Sequence, residues 1–437
     1  MEIMNRSFFE TLSPYLAVFS LSLLAAFIAG MAILLILHTK LVSFFVDHPD
    51  HRKVHSTPTP RIGGIAMVLA MLVTAMIWHM FAPWFDIPRL LPELHYSVCA
   101  AAVGIGLFIG LLDDSKFIYI GVRYKLSTVI VLAIITVFIF GVHPGAISVF
   151  NWFTIPEPAG KVLAVLWILG LVNAYNLVDG LDGFAGTLSA LSLLGIAAVS
   201  FFAGCAVTAA LCMFAVGAVA GFMVYNAPPA KVFMGDTGSC FLGYIVAILT
   251  LRVAFLMESA QAGKALVILP LLVGVPVLEI TITVLRRYFS ANSNGKGNAR
   301  RTLRHIVTAD RLHLHHRYLL RGFSHLETCI LAGTLMATIV GGAICAAFAP
   351  IQYLPAIVAY LVIPVLIPLH KLGVGKQIKQ SLRDDANSCD TDAEGAPESA
   401  ESTLCQNANF FRKDLITQSA LAIPVFILLT YLFWNFR

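Results

Sequence analysis

Four polar clusters hold the side chains able to do chemistry in this chain. They are Asp113-Asp114, the run from Asn173 through Asn176, Asp179 and Asp182 to Gly183, the run from Phe233 through Asp236 to Ser239, and His313-Leu-His315-His316-Arg317. Adjacent carboxylates repel, so keeping both Asp113 and Asp114 ionised favours a bound cation. Hard oxygen ligands suit Mg²⁺, with Mn²⁺ as a substitute, completed by waters and substrate phosphates. The structural alternative is a solvated helix end. Asn173, Asn176 and Asp179 fall at i, i+3 and i+6, roughly one helical face. Gly180 and Gly183 then permit a turn and a close approach of backbone to a ligand. A plain Asn/Asp/Gly turn explains the glycines and acids but not two amides on one face.

Asp236 stands between Gly235 and Gly238, with Ser239 opening the next apolar run. Glycine amides at a helix N-terminus form an anion site, yet Asp236 repels a phosphate unless a cation lies between them. The cluster therefore reads as a metal–phosphate site, against the alternative of a Gly-Asp turn with a serine N-cap. Three histidines within four residues are badly spaced for one zinc ion. With Arg311, Arg317 and Arg321 around them they read as a grip for a polyanion, or as a basic loop resting on anionic lipid. A further loop carries Asp47, Arg52, Lys53, His55, Arg61, Gly63 and Gly64; its cations suit a lipid phosphate or simple anchoring at a membrane surface.

The elements that position these clusters must lie in lipid. Of 437 residues, 58% are hydrophobic and 12% charged, and the mean hydropathy is +0.84. So few charges cannot cover a water-exposed surface, and spans of about 20 apolar residues have to be helical because lipid leaves open backbone groups unsatisfied. Apolar runs fall near 14–38, 62–81, 96–112, 126–143, 161–177, 183–204, 207–226, 240–256, 264–285, 328–347, 352–370 and 416–435. They predict an all-α polytopic protein of about 11–12 transmembrane helices. The 29 Lys and Arg fall in one set of alternate loops, apart from Arg6, Arg89, Lys161, Arg252, Lys264 and Arg437. The positive-inside rule puts that set, and every polar cluster, on the cytoplasmic face.

One polytopic core over 1–370 is expected, then a cytoplasmic loop over 371–415 and an extra C-terminal helix over 416–437. Residues 381–402 are acidic and poor in large apolar side chains, the composition of a disordered linker. The first apolar run is too long for a signal peptide and lacks a basic start, so it reads as a retained helix. The eight cysteines show no metal spacing, and no disulfide is expected. A net charge of +5 calls for no nucleic acid.

Taken together, these residues resemble the polyprenyl-phosphate N-acetylhexosamine-1-phosphate transferases, the superfamily of WecA-type and MraY-type enzymes. The resemblance runs from about Asp47 to Ser324. It is carried by Arg52-Lys53-x-His55 with Pro60-Arg61-x-Gly63-Gly64, the Asp113-Asp114 pair, Asn173 to Gly183, Phe233 to Ser239, and His313 to Arg317. Arg61 in that motif looks like the WecA type. The resemblance implies attack of undecaprenyl phosphate on a UDP-N-acetylhexosamine, first expected to be UDP-GlcNAc. The products would be the lipid diphosphate-sugar and UMP, starting surface-polysaccharide synthesis such as O-antigen at the bacterial inner membrane. It implies Mg²⁺ held by Asp236 with Asp113 and Asp114, Asp113 as base, and Asp179 and Asp182 orienting the nucleotide. By the same resemblance Phe233 stacks on uracil beside Asn226. Lys53, Asn173, Asn176, His313, His315, His316 and Arg317 bind substrate. A homodimer is compatible with the family.

Three features depart from the family pattern. Phe117 stands where WecA-type chains often carry a third Asp, Glu279 replaces Asp in Pro276-x-x-Glu279, and the stretch from Arg287 to His313 is long. Two rival readings are a multi-helix transporter, whose charged sites lie near the midplane, and a non-catalytic membrane protein that binds lipid or nucleotide. The acids at helix ends argue against the first.

Overall fold

The computed structural model describes residues 2–48, 57–85, 89–115, 121–149, 153–260, 263–292 and 313–371. Lys53, the acidic linker and the last apolar run lie outside the described residues. The chain divides into two units, Met1–Val273 and Gly274–Arg437.

The first unit runs α1 (Glu2–Leu37), α2 (Gly63–Phe81), α3 (Pro92–Ile105, continued as a π-helix over Gly106–Asp114) and α4 (Val122–Ile134, continued as a π-helix over Ile135–Ile139). It goes on through α5 (Glu157–Val178), α6 (Phe184–Phe202), α7 (Ala206–Asn226), α8 (Gly235–Ala260) and α9 (Ala265–Leu272). The second unit holds α10 (Gly274–Asn292), α11 (Leu314–Leu320), α12 (His325–Phe348) and α13 (Leu354–Lys371). Eight helices among the described residues are long and apolar enough to cross a membrane, and each apolar run up to residue 370 is helical over most of its length, the run near 264–285 being broken at Val273. The protein is an all-α polytopic membrane protein. Its only strands among the described residues are two short antiparallel hairpins, β1–β2 (Val46–Asp47 with Thr59–Pro60) and β3–β4 (Ile147–Val149 with Phe153–Ile155).

In the first unit α8 is the most enclosed span. It packs against α5, α2, α3 and α6, so its two ends are fixed by several neighbours. Small residues allow the closest crossings. A Cβ on Gly217 or Gly221 of α7 would stand 2.0 Å from the Ser22 carbonyl oxygen or 2.1 Å from that of Ala26, so α1 lies directly on the α7 backbone. Where α2 meets α8 the contact is glycine on glycine: a Cβ on Gly64 would stand 2.2 Å from the Gly238 nitrogen. The backbone is stitched here as well. Phe233 N–H donates to Pro60 O (2.9 Å), Gly63 N–H to Phe233 O (3.0 Å) and Gly64 N–H to Met234 O (2.8 Å). Gly63 and Gly64 thus serve helix contact, joining the first inter-helix loop to the turn that carries Asp236.

Candidate active site

The chain direction alternates through the first unit, so the same end of the bundle receives the start of α2, the end of α3, the start of α4, the end of α5 and the start of α8. There Asp113, Asp114, Lys125, Asn176, Asp179, Asp236 and Arg61 converge. Lys125, on the first turn of α4, donates its ammonium to both Asp113 Oδ2 and Asp236 Oδ2. Burial alone lowers the Lys125 pKa, but Asp236 and Asp113 outweigh it and push it up. The ammonium stays charged between two carboxylates.

Asn176 reaches the same carboxylate from the last turn of α5. Its Nδ2 lies 3.4 Å from Asp236 Oδ1 and 3.1 Å from Ser239 Oγ. Asn173, one turn back, is exposed and donates to Leu169 O at 2.7 Å. Asp179 ends α5. Burial, then the charges of Asp236 and Asp114, push its carboxyl up to about 8. Asp114 is buried and faces the start of α8, where it accepts from Thr237 Oγ1 (2.6 Å), Thr237 N (3.0 Å) and Asp236 N (3.2 Å).

Arg61 brings a second cation to the acids. Its Nη2 donates to Asp47 Oδ2 at 2.8 Å and its Nη1 lies 4.0 Å from Asp114 Oδ1. Burial opposes its charge, but Asp47 and then Asp114 and Asp236 leave its pKa raised. The β1–β2 hairpin pairs Asp47 with Thr59, which brings Asp47 within reach of Arg61.

Asp182 and Asn226 tie loops together. Asp182 Oδ2 accepts from Ala230 N (3.1 Å), Asn226 Oδ1 accepts from Gly183 N (2.9 Å), and Asn226 Nδ2 donates to Val232 O (2.9 Å). These bonds fasten the α5–α6 turn to the loop before α8. Gly183 adopts φ 74°, a left-handed value suited to glycine. Phe233 is half-buried in that loop, its backbone paired with Pro60 and Gly63.

In the second unit, Glu279 of α10 is buried and accepts from Leu314 N at 2.8 Å, with His313 Nδ1 at 3.1 Å. It caps the start of α11 and holds His313 there. The His313 and His315 rings stack at 5.8 Å, and His315 and His316 lie at 4.3 Å. His315 and Arg317 are buried. Burial, then His316 and His313, lower the His315 pKa well below its usual value.

Among the described residues no three His, Cys, Asp or Glu side chains are grouped to hold a metal. The arrangement in the first unit nonetheless fits a hard cation. Asp113 and Asp236 already share one positive group, the Lys125 ammonium, and two carboxylates are the protein share that Mg²⁺ commonly takes, the rest being water and phosphate.

Lys125 and Thr237 are the members of this site that sequence reasoning missed. Lys125 reads as one of several basic loop residues, and Thr237 as a filler between glycines. The Lys125 signal is its place on the first turn of the helix that follows the acidic pair.

The family model described as "Glycosyl transferase family 4" matches residues 96–254, the span from α3 to α8. A phospho-N-acetylmuramoyl-pentapeptide-transferase from Geobacillus sp. is 30% identical over 297 residues, covering 64% of this chain and 81% of that protein. The chain belongs to this superfamily, in which WecA-type and MraY-type transferases meet. A probable undecaprenyl-phosphate N-acetylglucosaminyl 1-phosphate transferase from Bacillus subtilis is 29% identical over 288 residues, 64% of this chain and 71% of the relative. The Escherichia coli K12 undecaprenyl-phosphate alpha-N-acetylglucosaminyl 1-phosphate transferase is 28% identical over 308 residues, 67% of this chain and 75% of the relative. The family model thus covers the helices that bring together Asp113, Asp114, Lys125, Asn176, Asp179 and Asp236.

Proposed function

We propose that the protein transfers N-acetylhexosamine-1-phosphate from a UDP-sugar, in the first place UDP-GlcNAc, to undecaprenyl phosphate at the cytoplasmic face of a bacterial inner membrane. The observation that carries this reading is the Asp113–Lys125–Asp236 triad at one end of the bundle, with Asn176 against Asp236. Both reactants are phosphate anions, so the site has to offset their repulsion. Charged groups fixed in a partly buried site do this better than water. The relatives named for undecaprenyl phosphate support the acceptor, and those named for N-acetylglucosaminyl 1-phosphate transfer support the donor.

In this reading Asp113 takes the proton from the lipid phosphate. The freed oxygen attacks the β-phosphorus of the UDP-sugar. The bond from that phosphorus to the bridging oxygen breaks, and UMP leaves with the oxygen. Mg²⁺ bound at Asp236 and Asp113 would supply charge neutralisation on the diphosphate. Lys125 turns its ammonium towards the phosphates, Asn176 orients Asp236, and Arg61 holds the charge of Asp114. The histidines and Arg317 are proposed to bind the diphosphate, and Phe233 to stack on the base. The product begins a surface polysaccharide.

Purified protein with Mg²⁺, undecaprenyl phosphate and a panel of UDP-sugars tests this directly. UMP release from one sugar, absent in Asp236→Ala, is the expected result. No UMP from any sugar, with folded protein, rejects it.

A further inference from the structure

The two adjacent carboxylates of Asp113-Asp114 stand in different surroundings. Asp113 is partly accessible and holds Lys125. Asp114 is 2% exposed and turned to the first turn of α8. A helix leaves its first four N–H groups without internal partners, and a side-chain oxygen on the preceding residue usually meets some of them. The residue before Gly235 is Met234, which has no such oxygen. Asp114 supplies it from another helix, accepting from the amides of Asp236 (3.2 Å) and Thr237 (3.0 Å) and from the Thr237 hydroxyl (2.6 Å). A carboxylate here also faces the positive end of a 26-residue helix.

Two glycines make the approach possible. Gly235 has φ 72°, and a Cβ on it would stand 2.7 Å from Asp114 Oδ2. A Cβ on Gly110 would stand 2.6 Å from Thr237 Oγ1. The π-helical segment Gly106–Asp114 alters the register at the end of α3, a device common near functional sites.

We propose that Asp114 is a positioning residue, a capping carboxylate given across helices to α8, which sets where Asp236 stands, while the cation and phosphate chemistry of the pair falls to Asp113. Its effect on turnover rests on the transferase reading above; its effects on amide exchange and cation binding do not.

The test uses Asp114→Asn, Thr237→Val and the double variant, beside Asp113→Asn and Asp236→Asn, in the full-length protein. Asp114→Asn replaces an acceptor facing Thr237 with a donor. It is expected to speed hydrogen exchange of the 235–238 backbone about tenfold, the scale of a lost cap, and to weaken Mn²⁺ binding, read by electron paramagnetic resonance, by about as much. Thr237→Val acts in the same direction and less. The double variant is no worse than Asp114→Asn alone, because both changes break one contact. Should Asp114→Asn not yield folded protein, Thr237→Val carries the same exchange and Mn²⁺ measurements. Three results would overturn the proposal: unchanged exchange in the folded variant, penalties that add, or loss of Mn²⁺ binding as complete as in Asp236→Asn, which would make Asp114 a ligand. If wild-type protein releases no UMP, exchange and Mn²⁺ binding still decide the role of Asp114.

Discussion

At the scale of single residues, the site depends on one lysine among acids. Asp113 and Asp236 both hold Lys125, and without a cation their charges repel across a partly buried gap. Lys125→Met should therefore lower kcat by roughly 100-fold, the scale of removing one charge-stabilising donor. It should also lower the thermal midpoint in EDTA, with recovery when Mg²⁺ is added. An unchanged kcat would remove Lys125 from the machinery. His315 makes a separate case in the second unit. Its folded-state pKa lies well below the ordinary value because of burial and then His316 and His313, so below about pH 6.5 the unfolded chain binds the proton more readily. Stability is complete above that pH and falls as the pH drops through the window beneath it. At pH 5.5 the loss is up to about 1.4 kcal/mol, one pH unit's worth. The thermal midpoint of the wild type should fall between pH 7.5 and 5.5 by more than that of His315→Gln, and equal slopes would show that His315 is not the group responsible.

At the scale of elements, α2 and α8 approach as closely as backbone allows beside the acids. Gly64 and Gly238 touch backbone to backbone, with Arg61 three residues before the one and Asp236 two before the other. Gly64→Ala must push these helices apart or strain them, at a cost of about 1–3 kcal/mol. It should lower both the thermal midpoint and kcat, since it moves the groups that flank Asp114. Gly170→Ala is the control. It lies within α5 with nothing inside 4 Å of the added Cβ, so the better helix former should be neutral or stabilising by up to about 1 kcal/mol. Equal effects of the two substitutions would refute the argument from close approach.

At the scale of the whole molecule, what was legible in the sequence follows its physics. Apolar runs of about 20 residues declare helices, because lipid permits only helices and closed barrels and barrel strands are shorter and alternate. Asn176 and Asp179 could be read as one face because their spacing is helical, and Asp236 could be put on their side of the membrane because the basic loops share it. Lys125 could not be read into the site, because a basic residue beside a span is also what topology alone requires. The unlike roles of Asp113 and Asp114 were only partly legible: the resemblance singles out Asp113 as base, but Asp114 meets the start of α8 across a long sequence separation that no local pattern reports. Asn226 reads as a ligand contact but has both amide atoms bound to loop backbone, a long-range fact that no local pattern encodes. Lys40, Arg61, Arg123, Lys125 and Lys231 gather at the end of the first unit that holds the acids, whereas the β3–β4 hairpin lies at the other end. Positive charge is retained on the cytoplasmic side, and a nucleotide donor is cytosolic. Thr154 and Lys231 are exposed at opposite ends. In a cysteine-free background, a membrane-impermeant maleimide added to intact cells should label Thr154→Cys, and should label Lys231→Cys only after the inner membrane is opened. The reverse pattern would put the acids on the outer face, cut off from UDP-sugar, and the proposed reaction would fail with it.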